Sequence, residues 1–168
     1  MHTSGTMDFR VMHPKNKRGV FYPLQTFSKS KEVDMKSVPF CLETEQEEDY
    51  KLVENLAKNL SNSVYEIDGE QRKSLHISAV FVSNFVNHMY QIGNALCEEN
   101  KVPFAILQPL IEETANKIKT LTPIEAQTGP AIRNDESTIE KHLDALDNPN
   151  YRELYQKITL SIQNVKKL

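Results

Sequence analysis

The chain has 168 residues, 39% hydrophobic and 26% charged, with a net charge of −3, which fits one globular domain or a small domain plus part of another. Charge that is small and spread over both signs argues against a nucleic-acid partner, which wants a basic face. No apolar run approaches the roughly 18 residues of a membrane span and Met1-His2-Thr3 carries no secretory pattern, so neither membrane nor export is expected and the expected setting is cytoplasmic.

His2-Thr3-Ser4-Gly5 reads as the end of a strand and its turn, with nothing before it to form that strand, which suggests that the sequence begins inside a domain. Val20 to Phe27 is a short β-prone run in which Pro23 lacks the N–H of a central ladder position; an edge strand, or a strand ending in a functional loop, is expected. Lys29 to Val38 is a polar connection, and Val38 to Glu43 is a second strand signal. From Glu47 to Leu60, Tyr50, Leu52, Val53, Leu56, Ala57 and Leu60 recur at helical spacing. Val64 to Asp68 then alternates as a strand, with Gly69 as the break. Strand, strand, helix, strand is a piece of α/β architecture, assigned to residues 1–70.

Gln71 to Asn100 reads as one long helix, about 40 Å at 1.5 Å per residue. On a wheel of about 100° per residue with His76 at zero, Ile77, Phe81, Val82, Phe85, Val86, Met89, Ile92, Ala95 and Leu96 fill an arc from about 100° to about 280°. An arc that wide predicts burial against several partners. Ser83, Asn87 and Asn94 fall close to His76, with Asn84 and Gln91 nearby, so one narrow polar stripe runs along a rod that is otherwise core. Either neighbouring helices satisfy the stripe or it lines a cleft.

Everything beyond is helical. Val102-Pro103-Phe104 opens a helix to about Lys119, with Pro109 as a kink or a restart. Thr122-Pro123-Ile124-Glu125 is a capping box with proline at the first helical position, cut short at Gln127-Thr128-Gly129-Pro130. Asp135 or Ser137 caps the next helix, ending near Leu146, and Asn148-Pro149 starts the last. The fold class expected is mainly α: a helical bundle of residues 71–168 around one long helix, preceded by a small α/β segment. Cys41 and Cys97, the only cysteines, read as reduced fillers; no His-Glu-x-x-His spacing occurs, and His76 and His88 lie about 120° apart on their helix, so no metal is expected.

Tyr22-Pro23-Leu24-Gln25-Thr26-Phe27, then Arg72 with Leu75-His76-Ile77-Ser78-Ala79-Val80 and Ser83-Asn84-Phe85-Asn87-His88, then Gln127-Thr128-Gly129-Pro130-Ala131 with Arg133 and Asp135, resemble the second half of a family of NAD(P)-dependent oxidoreductases. In that family a Rossmann domain precedes a helical domain of unknown function, and the whole is similar to pyrroline-carboxylate reductases and to the C-terminal domain of 6-phosphogluconate dehydrogenase. The resemblance covers essentially the whole chain. It implies an NADP or NAD cofactor, a helical domain that forms a homodimer, a cleft for a small-molecule substrate, and a first segment that is the last part of a Rossmann domain. The departure is that glycine occurs only at 5, 19, 69, 93 and 129, so the G-x-G-x-x-G turn that brings backbone amides to a pyrophosphate is not in this sequence.

Hydride transfer to or from a C=N or C=O bond needs a proton donor or acceptor at the heteroatom, and His76 is the candidate because an imidazole can serve in either direction. Asn84 and Asn87 are candidates to orient substrate or fix the histidine tautomer. Gln127, Thr128 and Gly129 offer a side-chain amide, a hydroxyl and a backbone donor at a helix break, and Arg133 a bidentate carboxylate clamp, against a salt bridge to Asp135. Tyr22, Gln25 and Thr26 face the nicotinamide by resemblance alone. Two other classes stay open. A non-catalytic helical dimerisation module has the same long helix, and a hydrolase with His76 as base needs a nucleophile elbow, G-x-S-x-G, that is not present.

Overall fold

The computed structural model of the chain describes residues 1–165. It is mainly helical with one three-stranded sheet. Two compact units are present, residues 1–89 and 90–168, so the division falls inside the third helix rather than at residue 70, where the helical part of the chain begins.

In the first unit β1 (Gly19–Pro23), β2 (Phe40–Thr44), α1 (Glu47–Leu60) and β3 (Val64–Glu66) follow the expected order. The sheet order is β1-β2-β3, with β1 antiparallel to β2 and β2 parallel to β3. The parallel pair joined through α1 is a β-α-β unit, the arrangement that needs a helical crossover. Pro23 ends β1 opposite Phe40, where its missing N–H costs least. On the other edge of β1, His2 forms a single parallel bridge to Val20, which is the strand end read from the first residues.

The core lies where β2 meets α1. Val38, Phe40, Leu42, Val53 and Ala57 are buried together, with Phe21, Val33, Met35, Tyr50 and Val64 packed around them, and the Phe21 and Phe40 rings stand 4.8 Å apart. Cys41 is buried in this sheet as a free thiol, and burial pushes its pKa up, as expected of an inert filler.

The long helix starts two residues earlier than its apolar pattern suggests and is not uniform. α2 (Gly69–Ala79) opens on a capping box: the Asp68 carboxylate accepts from the Glu70 and Gln71 amides, and the Gln71 side chain accepts from the Asp68 amide. Gly69, which reads as a break, is its first residue. Val80–Phe85 forms a π-helical segment, after which α3 (Val86–Glu99) resumes. The burial expected for its apolar arc is not found. Ile77, Phe81, Val82 and Phe85 are 60%, 62%, 74% and 49% exposed, with Phe81 and Phe85 meeting edge to face at 5.0 Å. The 3.6-residue period reports which face prefers burial, not whether this chain covers it.

In the second unit a 3₁₀ turn (Phe104–Leu107) precedes α4 (Gln108–Lys117), with Pro109 in its first turn, so the proline marks a restart and not a kink. The Thr122 capping box is present as read, with Glu125 accepting from the Thr122 amide and Thr122 Oγ1 accepting from Glu125 N, and it opens the four-residue α5 (Pro123–Ala126). α6 (Pro130–Arg133) is a further short helix that the pattern did not show. Asp135, not Ser137, caps α7 (Glu136–Asp144), and Asn148 Oδ1 accepts the first amides of α8 (Pro149–Val165). α6 packs on α7 and α8 and buries Ala131.

Candidate functional site

Arg72 fixes the phase of α2. It is fully buried, pairs with Glu43 of β2, and donates from a terminal guanidinium nitrogen to the Met7 carbonyl at 2.8 Å; its Nε finds no acceptor among the described residues. One side chain thus holds the helix, the sheet and the segment before β1 together. Residues i and i+4 share a helix face, so the face that seats Arg72 also carries His76.

His76 faces the end of β1. Its Nδ1 lies 3.2 Å from the Tyr22 hydroxyl, with the two rings 6.3 Å apart and tilted by 57°. Beyond Tyr22 the chain turns out of the strand: the Leu24 amide donates to the Pro39 carbonyl, and the Gln25 side-chain oxygen accepts from the Thr26 amide. Between this turn and the helix lies a pocket of about 360 Å³. Its polar lining comes from Tyr22, Gln25, Thr26, His76, Ser83 and Asn84, and much of its apolar lining from Leu24, Leu75, Ala79 and Val80. Burial, aided by the nearby Cys41, raises the pKa of the Tyr22 phenol, which keeps it a neutral hydroxyl.

The π turn shapes the far wall. A π turn accommodates one extra residue, so residues past it fall behind a uniform wheel by about 100°. Ser83 and Asn84, inside the turn, line the pocket; Asn87, beyond it, is exposed on α3 outside that lining. Asn94 donates to Glu98 on its own helix. Of the polar stripe, His76, Ser83 and Asn84 line the pocket, while Asn87, Gln91 and Asn94 lie outside that lining.

The remaining candidates belong to the second unit. The Gln127 side chain donates to the Thr128 carbonyl, and both residues are exposed. Gly129 sits at φ +105°, ψ 177° as the N-cap of α6, a conformation only glycine adopts cheaply. Arg133 is exposed at the end of α6, while the Asp135 carboxylate is engaged by Thr138, whose hydroxyl and amide hold its pKa down. The structure thus brings Tyr22, Gln25, Thr26, His76 and Asn84 together in one pocket and places Gln127, Thr128, Gly129 and Arg133 in the other unit.

Two contributors had no assigned role at the level of sequence. Arg72 was visible only as part of a motif. Gly5, buried beside the pocket, is the other: a Cβ there would stand 2.6 Å from His76 Nδ1 and 3.0 Å from the Tyr22 hydroxyl. The turn read at His2-Thr3-Ser4-Gly5 was the available signal.

Residues 38–162 match the family described as a domain of unknown function, DUF2520. The chain belongs to that family. Over 97% of its length it is 47% identical to the crystal structure of a putative NADP oxidoreductase from Bacteroides fragilis, with a TM-score of 0.93, and it covers 64% of that protein. A protein from Thermotoga maritima shares the fold at 22% identity and a TM-score of 0.78, over 99% of this chain and 68% of that one. No curated protein matches. Among the described residues no helix is long and apolar enough to cross a membrane.

Proposed function

We propose that the chain is the C-terminal part of an NADP-dependent oxidoreductase, supplying the substrate side of the cleft and the dimer contacts. The observation that carries this reading is the Tyr22–His76 pair at 3.2 Å on the wall of a pocket large enough for a nicotinamide or a small substrate. Its support from likeness is the NADP oxidoreductase that is 47% identical. The finer likeness, to pyrroline-carboxylate reductase and the helical domain of 6-phosphogluconate dehydrogenase, is part of the same reading.

The lining fits the reactive end of NADP: an aromatic ring, a carboxamide and a hydroxyl at the end of β1, facing an imidazole and Asn84. It does not fit the pyrophosphate, since no two glycines stand as a G-x-G-x-x-G turn requires. When bound, the nicotinamide supplies or accepts the hydride. His76 then serves the heteroatom of the reacting bond, Asn84 and Ser83 orient the substrate, and Tyr22, Gln25 and Thr26 border the ring. Gln127, Thr128, Gly129 and Arg133 of the second unit are proposed as substrate-binding residues. The two free thiols suit a cytoplasmic setting.

The dimer rests on the uncovered apolar row Ile77, Phe81, Val82 and Phe85. Exposed apolar surface of that kind marks an interaction site, and a two-fold pair is the commonest way to cover it. The same row favours the second reading, a non-catalytic dimerisation module. Joining the chain to a glycine-rich nucleotide-binding segment separates the two. On the first reading His76→Ala in the joined protein lowers NADPH-dependent turnover by about 10²-fold or more, the contribution of a positioned acid or base; on the second, neither nucleotide nor substrate has any effect.

A further inference from the structure

The Tyr22–His76 hydrogen bond bears on which imidazole nitrogen carries the proton. In neutral imidazole one nitrogen donates and the other accepts. Tyr22 is half-buried and its hydroxyl meets only His76 Nδ1 among the described residues. If Nδ1 carried the proton, the phenol would accept from it and its own proton would have no protein acceptor among the described residues, only water in the pocket. With the phenol donating, Nδ1 accepts and the proton sits on Nε2, on the ring edge turned away from Tyr22.

Gly5 closes the other side of this contact. Any side chain there would press its Cβ to 2.6 Å from Nδ1 and to 2.9 Å from Tyr22 Cζ, so the pair forms only against bare backbone. That backbone is itself fixed. The Ser4 hydroxyl accepts from the Thr6 and Met7 amides at 3.2 Å, and the buried Arg72 holds the Met7 carbonyl.

We propose that Tyr22 and Gly5 are positioning residues that lock His76 as the neutral Nε2–H tautomer, so that it presents a hydrogen-bond donor to a neutral acceptor, the carbonyl oxygen or imine nitrogen of the substrate. This rests on the oxidoreductase reading for its purpose but not for its test. A neutral imidazole donating from Nε2 polarises a carbonyl, a role that a histidine plays in other enzymes. Beside His76 the pocket is lined by the neutral polar residues Gln25, Thr26, Ser78, Ser83 and Asn84 and by no Lys or Arg, which suits an uncharged reacting group.

The test is long-range ¹H–¹⁵N NMR of the histidine rings in the chain itself, at a pH where His76 is neutral. The expected spectrum shows His76 as a single tautomer, with Nδ1 unprotonated and Nε2 protonated. Tyr22→Phe removes the donor and Gly5→Ala displaces the ring, so both shift His76 toward a tautomer mixture, while His142, whose Nδ1 meets Tyr155, keeps its wild-type signals. A protonated Nδ1 in the wild type, or an unchanged single tautomer in Tyr22→Phe, overturns the proposal. If Gly5→Ala does not fold, Tyr22→Phe still decides. Because no cofactor or turnover enters the measurement, its failure and the failure of the oxidoreductase reading are separate results.

Discussion

In the first unit Val20, Val38, Phe40, Cys41, Leu42, Val53 and Ala57 are buried in the sheet and against α1, whereas in the second unit Ala131 is the apolar side chain buried among the described residues. The second unit instead leaves Ile106, Leu110, Ile118, Ile124 and Leu160 exposed by 57–70%. A β-α-β unit closes on itself, because one sheet face and one helix stripe cover each other. Short amphipathic helices separated by restarts at Pro109, Pro123, Pro130 and Pro149 offer apolar faces at several angles. Such faces do not cover one another as a sheet and a helix do, and stability in the two regions should answer to different things.

The largest expected effect is at the clamp of the first unit. Arg72→Ala leaves the Glu43 carboxylate without its cation and the Met7 carbonyl without its donor, and removing one partner of a buried pair costs about 3–5 kcal/mol. Denaturant unfolding of the variant should show it; a loss under 1 kcal/mol would mean that water reaches Glu43 freely. Leu42→Ala, in the same core, should cost about 2–5 kcal/mol by the usual cavity penalty.

Phe81→Glu marks the limit of the contrast, because Phe81 belongs to the first unit and its face is uncovered all the same. Phe81 is 62% exposed, so within one chain the change is close to neutral. In a dimer sealed by this row it places a charge in an apolar contact, and light scattering should report the mass falling from two chains to one. A dimer that survives Phe81→Glu and Val82→Glu together would remove this row from the interface.

Much of the first unit is legible in the sequence because local signals and tertiary needs agree there: alternation gives β2 and β3, the 3.6 period gives α1, and Pro23 ends an edge pairing. The Thr122 capping box is legible for the same reason, being a device complete within four residues. The pocket is only partly so. His76, Ser83 and Asn84 stand out as polar residues on an apolar rod, but a wheel of fixed pitch carries Asn87 into the stripe, since no residue in Val80–Phe85 announces a π turn. Gly5 is further from reach, because its role is to leave space for two side chains that are distant in sequence. Asp68 was legible in principle as Asp-x-x-Gln and was masked by Gly69.

Smaller effects test the helical unit's local devices. Thr122→Ala removes the cap of α5 and should cost about 1 kcal/mol, read as a modest drop in the melting temperature. Gly129→Ala forces a side chain into φ +105°, and the strain is of order 1–3 kcal/mol even though the space around it is open.

The smallest effect is the pH dependence that these caps contribute. Hydrogen bonds from Thr138 hold the Asp135 carboxyl below its ordinary pKa, and those from Thr122 do the same for Glu125. A carboxyl whose pKa is lower folded than unfolded adds stability that is fully present above the unfolded value and is lost as pH falls through the folded one. Melting followed from neutral pH downward should therefore fall as the carboxylates are protonated, and with Glu125 exposed and Asp135 only half-buried the slope should be shallow. Asp135→Asn with Glu125→Gln should flatten this part of the profile while leaving the neutral-pH pocket, on Tyr22 and His76, as it was. An unaltered acid slope in the double variant would place the acid sensitivity elsewhere, at Glu153, which Lys157 holds low, or at Glu45 of the first unit, which Arg18 holds low.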